Sequence, residues 1–115
     1  MDSASIIFTA PRRAEVVIEP QPDPGPGQVT VKALVSLIST GTESWCYRGE
    51  FDADSGWASW VKYPFHPGYS HVGEVIKVGE GVTNLSPGDR VFSTVSHRQF
   101  ANVPDHSVKL PDYTT

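Results

Sequence analysis

Hydrophobic and polar positions alternate in several short segments of the chain. The clearest alternation covers 28–37, where Val29, Val31, Ala33 and Val35 occupy every second position. A period of two is typical of a β-strand with one buried face. Shorter segments rich in apolar and β-branched residues predict further strands, at 5–9, 14–19, 72–78, 90–95, 99–103 and 107–110.

Turn-forming residues separate these segments. The prolines and glycines of 20–27 predict a loop, because proline lacks a backbone donor and glycine favours turns. A short helix is predicted over 42–48, with a Thr or Ser cap and a stop at Gly49. The polar stretch 50–63 predicts an irregular excursion. About seven short strands with little helix indicate a small, largely antiparallel barrel or sandwich.

Composition narrows the classes of protein that remain. A chain of 115 residues fits one domain with its own core. The net charge is −4 and no cluster of Lys and Arg forms a basic face, which argues against a nucleic-acid partner. No apolar stretch approaches the roughly 20 residues of a membrane span, and the N-terminus does not resemble a signal peptide. A cytoplasmic location without a membrane partner is therefore expected.

Three groups of motifs occur in a fixed order along the chain. They cover 27–32 with 38–43, then 63–75, and then 78–82 with 87–91. Together they resemble the N-terminal domain of the zinc-type alcohol dehydrogenases, the medium-chain dehydrogenases/reductases, over about 14–112. The resemblance implies a GroES-like, mainly β fold: a partly open barrel of short, mostly antiparallel strands with one or two short helices. The steps at 39–43 and 67–69 also resemble a narrower branch that includes bacteriochlorophyllide dehydrogenase-like proteins, from which no substrate is carried over.

Four glycines within these motifs predict local backbone geometry. Gly79, Gly81 and Gly88 are predicted to form turns that need a positive φ. Gly73 lies inside a predicted strand, which suggests a bulge or a close approach of another chain segment.

The resemblance also implies where zinc ligands would stand. In zinc-dependent members the first ligand is a Cys, at the position that here is Thr40 before Gly41. The second ligand is a His, at the position that here is Tyr69 after Gly68. The hydroxyl groups of Thr40 and Tyr69 are poor, neutral zinc ligands. The family's lobe of four closely spaced cysteines is also missing, since the chain has one cysteine, Cys46, predicted to be an ordinary semi-buried thiol. No zinc is expected, and the four histidines lack paired ligand spacing: His66, His71, His97 and His106.

Without zinc, hydrogen-bond donors must polarise the substrate's oxygen. By resemblance, the Tyr69 hydroxyl is a candidate donor or general acid, and Thr42 matches a hydroxyl that contacts substrate or relays a proton. His97 stands where zinc-poor relatives place a histidine facing the cleft. Thr40 and Ser70 are expected to line the same pocket and bind substrate. The alternative for each residue is an ordinary, satisfied structural polar group.

No glycine-rich nucleotide-binding motif follows a predicted strand. We therefore expect 1–115 to be the GroES-like, substrate-side domain alone, excised or truncated from its nucleotide-binding Rossmann domain, which would be its partner. Hydride transfer needs bound NAD(P), so the chain by itself is expected to be inactive. An exposed apolar edge would favour a homo-oligomer.

Two functions stay open at this point. One is the substrate-side half of a zinc-independent, NAD(P)-dependent oxidoreductase that acts on a small-molecule substrate. The other is a non-catalytic binding or assembly module that keeps the same scaffold, because a fold alone does not determine function. A true co-chaperonin is disfavoured, since it would leave the dehydrogenase-like steps unexplained.

Overall fold

A computed structural model describes residues 1–111 of the chain. Within this range the backbone forms seven strands and two short helices. The strands are β1 (Asp2–Ala10), β2 (Arg13–Pro20), β3 (Gln28–Ser36), β4 (His71–Val78), β5 (Arg90–Ser93), β6 (Phe100–Pro104) and β7 (Val108–Lys109). The helices are α1 (Thr40–Arg48) and α2 (Gly56–Trp60). No helix in the described range is long and apolar enough to cross a membrane.

The strands form two antiparallel sheets. Strands β1 and β2 make a two-stranded sheet, and the other five follow the order β6-β3-β4-β5-β7. Isolated bridges from Ser5 to Arg98 and from Phe8 to Phe65 link β1 to the rest of the domain. The sheets do not close into a full barrel, so the predicted mainly β, partly open architecture with one or two short helices is confirmed.

The main core lies on the five-stranded sheet. Val29 and Val31 of β3 are fully buried together with Val75, Val91 and Val103 from the neighbouring strands. The strand predicted at 28–37 is present, but its burial does not alternate: Val29, Thr30 and Val31 are all fully buried, and Val35 is 64% exposed. Irregularities in the pairing of β3 with β4, between Thr30 and Val31 and between Ala33 and Val35, change which face each side chain occupies.

A second apolar group joins the helical region to β1. Phe8, Cys46 and Val61 are its buried members, with aromatic side chains packed around them. Cys46 is fully buried, which corrects the prediction of a semi-buried thiol, since α1 packs this face against β1 and the segment that precedes β4.

The helices differ from the prediction in extent. Helix α1 begins two residues early, at Thr40, and ends as predicted at Gly49, whose φ is +66°. Helix α2 replaces part of the predicted irregular stretch. Ser55 caps it by accepting a hydrogen bond from the Ala58 N–H at 3.3 Å. A five-residue helix is too short to show a helical repeat of apolar positions, which is why the sequence pattern did not reveal it.

The glycines serve two different purposes. Gly81 and Gly88 have φ values of +82° and +97°, as predicted for turns. The same prediction is wrong for Gly79, which is required by proximity: a Cβ there would lie 2.1 Å from the Gly25 carbonyl oxygen. Gly73 also lies at a close approach, with Val31 Cβ 2.8 Å from the position of a Cβ.

Candidate active site

A buried carboxylate and a buried imidazole meet between α1 and the segment before β6. Glu43, in the first turn of α1, is 6% exposed, and His97 is 7% exposed. Oε1 of Glu43 lies 2.5 Å from Nε2 of His97. Burial of a charged group is unfavourable unless a partner compensates it, so each side chain depends on the other.

The remaining polar atoms of this pair are also engaged. The Ser39 backbone N–H donates to Glu43 Oε2 at 2.5 Å. His97 Nδ1 lies 2.7 Å from Ser36 Oγ, and Ser36 is exposed at the end of β3. A carboxylate only accepts hydrogen bonds, so a neutral His97 carries its proton on Nε2 and Ser36 donates to Nδ1. Ser36, His97 and Glu43 thus form a hydrogen-bonded series from the surface to the interior.

Backbone contacts hold the His97 ring in place. The backbone N–H of His97 donates to the Pro67 carbonyl at 3.0 Å, and the backbone carbonyl of His97 accepts from the Ile6 N–H at 3.0 Å. The ring crosses so close to Gly68 that a Cβ there would lie 2.8 Å from Nε2. Gly68 has a φ of +102° as well, so both sterics and backbone conformation require glycine beside the imidazole.

Glu43 lies between two cavities. The small cavity, of about 50 Å³, is lined by Thr42, Glu43, Cys46, Trp60, Phe65, His66, Gly68 and Tyr69. The larger cavity, of about 230 Å³, is mostly apolar and is lined by Ile6, Phe8, Ile38, Glu43, Ser44, Tyr47, Pro67 and His97. The carboxylate therefore connects the two predicted hydroxyls of the small cavity with the histidine of the larger one.

The structure brings together three of the five predicted site residues. Thr42 is half-buried and Tyr69 is 41% exposed, and both line the small cavity. His97 reaches the same region through Glu43. Thr40 is exposed and Ser70 half-buried, and neither belongs to the lining of the two cavities. The catalytic and binding roles of all five residues stay predictions.

Glu43 is the residue that the sequence reasoning missed. The available signal was an acidic residue in the first turn of a helix, beside Thr42. At that position an acidic side chain is usually an exposed partner of the helix dipole. Only the contact with His97, 54 residues away, marks it as part of a site.

A family pattern covers most of this architecture. The alcohol dehydrogenase GroES-like domain matches residues 25–109. The chain belongs to this family. The match includes the segment from β3 to β7 and with it Glu43, Tyr69 and His97. The resemblance inferred from the motifs is thereby confirmed.

Individual relatives of this GroES-like domain are dehydrogenases. The 2-desacetyl-2-hydroxyethyl bacteriochlorophyllide A dehydrogenase of Cereibacter sphaeroides is 36% identical over 92 residues, which are 80% of this chain and 27% of that protein. The alcohol dehydrogenase of Rhizobium meliloti is 42% identical over 78 residues, 66% of this chain and 21% of that protein. The chain thus spans about a quarter of the length of these curated relatives.

Solved structures support the same fold. An alcohol dehydrogenase from E. coli CFT073, complexed with NADH, superimposes with a TM-score of 0.77 at 23% identity, over 99% of this chain and 40% of that chain. The human synaptic vesicle membrane protein VAT-1 homolog-like protein superimposes with a TM-score of 0.75 at 20% identity, over 100% of this chain and 37% of that chain. At these identities the likeness concerns the fold alone.

The donor groups of this GroES-like domain do not fit a zinc ion. Thr40 and Tyr69, the two positions that the resemblance compares with zinc ligands, present only neutral hydroxyls. Cys46 and His66 border the small cavity with Glu43. Even so, no group of three or more His, Cys, Asp or Glu side chains in residues 1–111 is arranged to hold a metal.

Burial also changes two ionisable groups of the domain. Burial, and secondarily the Glu43 carboxylate, raises the pKa of the Cys46 thiol, which therefore stays protonated. Burial lowers the pKa of His71, a fully buried residue of β4 whose Nε2 lies 3.2 Å from the Arg98 carbonyl oxygen. His71 Nδ1 has no hydrogen-bond partner in the described part of the chain, which favours the neutral ring further.

Proposed function

We propose that this chain is the substrate-side domain of a zinc-independent, NAD(P)-dependent alcohol dehydrogenase-like oxidoreductase. The observation that carries the proposal is the small cavity, where the hydroxyl-bearing residues Thr42 and Tyr69 meet the carboxylate of Glu43. These groups replace metal ligands with hydrogen-bond donors and a buried proton acceptor. Dehydrogenase relatives with the same domain support the reaction class.

In this proposal Tyr69 stabilises the oxygen of the substrate. In the reduction of a carbonyl group, the hydride for the carbon would come from a nicotinamide cofactor, which the expected Rossmann domain would hold. The Tyr69 hydroxyl donates a hydrogen bond and then a proton to the oxygen, and Thr42 orients that oxygen or relays the proton. Thr40 and Ser70, the sequence neighbours of this cavity, remain proposed contacts for the rest of the substrate.

His97 acts as a positioning residue. Both ring nitrogens are already hydrogen-bonded, to Glu43 and to Ser36, so neither is free for a substrate. The imidazole instead orients the Glu43 carboxylate beside the small cavity. The series Ser36, His97 and Glu43 offers a path by which a proton reaches the cavity from the surface.

Reading the coding sequence past Thr115 tests the proposal first. An in-frame glycine-rich βαβ unit supports the oxidoreductase, whereas a stop codon supports the non-catalytic module. The complete gene product is then assayed for NAD(P)H-dependent reduction of ketones and aldehydes, with and without a zinc chelator. We expect turnover that resists the chelator, while the 115-residue chain alone shows none.

A Tyr69→Phe variant of the complete product tests the role of the hydroxyl. We expect kcat to fall by about 100-fold, the lower range for loss of a general acid. Tyr63→Phe is the matched control, because its hydroxyl donates to the Cys46 carbonyl and Tyr63 lines neither cavity. Turnover that needs zinc, or a Tyr69→Phe variant as active as the control, contradicts the mechanism.

One observation favours the alternative of a non-catalytic binding or assembly module. Val35, Leu37 and Ile38 are 64%, 69% and 65% exposed at the end of β3 and in the segment that follows it. Exposed apolar residues in sequence mark contact surfaces of proteins. A complete gene product that ends near Thr115 and lacks turnover would favour this module.

A further inference from the structure

Aromatic side chains form a continuous group that begins beside the small cavity and ends at the surface. All three tryptophans of the chain belong to it. The ring centroids of Trp57 and Trp60 lie 5.7 Å apart on α2, and Trp60 meets Phe65 edge-to-face at 5.4 Å. Trp57 meets Trp45 of α1 edge-to-face at 6.3 Å. Contacts from other elements therefore fix the orientation of both indoles of α2.

The two indoles of α2 remain accessible despite these contacts. Trp57 is 37% exposed and Trp60 is 52% exposed. With Gly56 they line an open depression of about 360 Å³, here called the aromatic shelf. Apart from its chain neighbours and the backbone of α2, nothing lies within 4 Å of the position of a Cβ on Gly56.

Trp60 connects the aromatic shelf to the proposed site. It lines the shelf and also the small cavity with Thr42 and Tyr69. The small cavity, at about 50 Å³, holds little more than one water-sized group, whereas small-molecule sites usually measure about 300–1,000 Å³. The shelf, at about 360 Å³, reaches that range. Because Trp60 lines both spaces, a substrate whose reacting group enters the small cavity can place its body on the indoles.

Exposed charges of both signs flank the shelf in sequence. Asp52 and Asp54 are exposed in the segment that leads into α2, and Lys62 is exposed just after the helix. Arg48, the cation that stacks on Trp45 with its guanidinium 5.0 Å from the ring centroid, is already engaged. Indole faces favour flat rings, which bind by offset stacking or edge-to-face contact. A neutral, planar ligand fits this combination.

We propose that the aromatic shelf binds the ring system of a neutral, planar aromatic alcohol or ketone, whose carbinol or carbonyl group reaches Tyr69 and Thr42. This inference rests on the proposed function for the role of Tyr69. The ring-binding step does not need the cofactor. It is therefore measurable on the 115-residue chain itself.

The test compares three probes by calorimetry and by the indole N–H signals in NMR spectra. 1-(2-Naphthyl)ethanol is the aromatic alcohol, 1-cyclohexylethanol is its saturated counterpart, and 2-naphthoate is the anionic aromatic. We expect the naphthyl alcohol to bind at least fivefold more tightly than the other two. Its addition is expected to shift the signals of Trp57 and Trp60 more than that of Trp45.

Variants locate the binding site. Trp60→Leu is expected to weaken binding of the naphthyl alcohol by about three- to tenfold, the contribution of one aromatic pair. Gly56→Val places a branched side chain in the shelf and keeps both indoles in the chain, so it tests the same surface if Trp60→Leu fails to fold. Val16→Ala, on the exposed face of β2, is the control and is expected to bind like the unmodified chain.

Several results would overturn the inference. They are equal binding of the saturated probe, unchanged binding in both shelf variants, or indole signals that move with chain concentration alone, which would assign the shelf to self-association. Failure of the proposed function looks different. The complete gene product would then lack NAD(P)-dependent turnover while the 115-residue chain still bound the naphthyl alcohol at Trp57 and Trp60.

Discussion

Replacement of Gly79 by alanine gives a sharp test of the packing described above. Gly79 follows β4, where its N–H donates to the Gln28 carbonyl at 2.8 Å. A Cβ at this position would lie 2.1 Å from the Gly25 carbonyl oxygen and 2.6 Å from that of Gln28. Both distances are far below the 3.4 Å at which ordinary contacts begin. Because both obstacles are backbone atoms, no side-chain rotation relieves the overlap.

The magnitude follows from what must move. Overpacking of a tight site costs about 1–3 kcal/mol. Separating the segments also endangers the hydrogen bond from Gly79 to Gln28 and the 3.1 Å hydrogen bond from the Gln28 N–H to the Gly25 carbonyl. Each contributes about 0.5–1.5 kcal/mol. We therefore expect Gly79→Ala to lower the free energy of unfolding by about 2–5 kcal/mol, which corresponds to a fall in Tm of roughly 10–30 °C for a domain of this size.

The assay is urea unfolding of the 115-residue chain followed by far-UV circular dichroism, with thermal unfolding as a second measurement. Gly41→Ala is the matched control. Gly41 lies in α1 with nothing within 4 Å of the position of a Cβ, and alanine is the better helix former, so no loss of stability is expected. A Gly79→Ala variant as stable as the Gly41→Ala control would refute the close approach of 25–28 to 79.

Three further predictions concern the ionisable groups. Burial lowers the pKa of His71, so the folded state binds a proton less readily than the unfolded state, and stability is lost as pH falls through about 6.5, the ordinary value. His71→Gln is expected to flatten the dependence of urea midpoints on pH between 7 and 5. An unchanged slope would contradict this. Glu43→Ala leaves the buried His97 Nε2–H without an acceptor and is expected to lower the free energy of unfolding by about 1–3 kcal/mol. Glu50→Ala, at the exposed pair with Arg12, is expected to have little effect, and equal losses in the two urea titrations would be evidence against the buried pair. Cys46, fully buried with a raised thiol pKa, is expected to react with a chromogenic disulfide reagent only after unfolding, and rapid labelling of the native chain would contradict its position.

Features that depend on neighbours in sequence were predictable. The alternation of Val29 and Val31 predicted a strand, and the turn residues Gly81 and Gly88 predicted positive φ values that the backbone has. These features follow from side-chain direction and local sterics, which a few consecutive residues determine. These elements indicated a small, largely antiparallel β domain, and the GroES-like family was indicated by the resemblance of three sequence motifs.

Features that depend on how segments meet were not predictable. Val35 continues the alternation of β3 but is exposed, and Thr30 is fully buried, because irregularities in the pairing with β4 change which face these side chains occupy. Gly79 resembles a turn glycine, yet its requirement comes from the approach of a loop more than 50 residues earlier in the chain. The five residues of α2 are too few to show the 3.6-residue period of a helix, so the shelf formed by Trp57 and Trp60 was not visible.

The candidate site divides in the same way. The sequence alone indicated a mainly β chain, because residue types and their spacing are local properties, and its motifs carried the resemblance that pointed to the GroES-like family and to Thr40 and Tyr69 as site residues. Only the tertiary structure decided that Glu43, an ordinary acidic residue of a first helical turn by sequence, pairs with His97 at 2.5 Å. That pairing depends on the packing of α1 against a segment 54 residues away, and no local pattern encodes it.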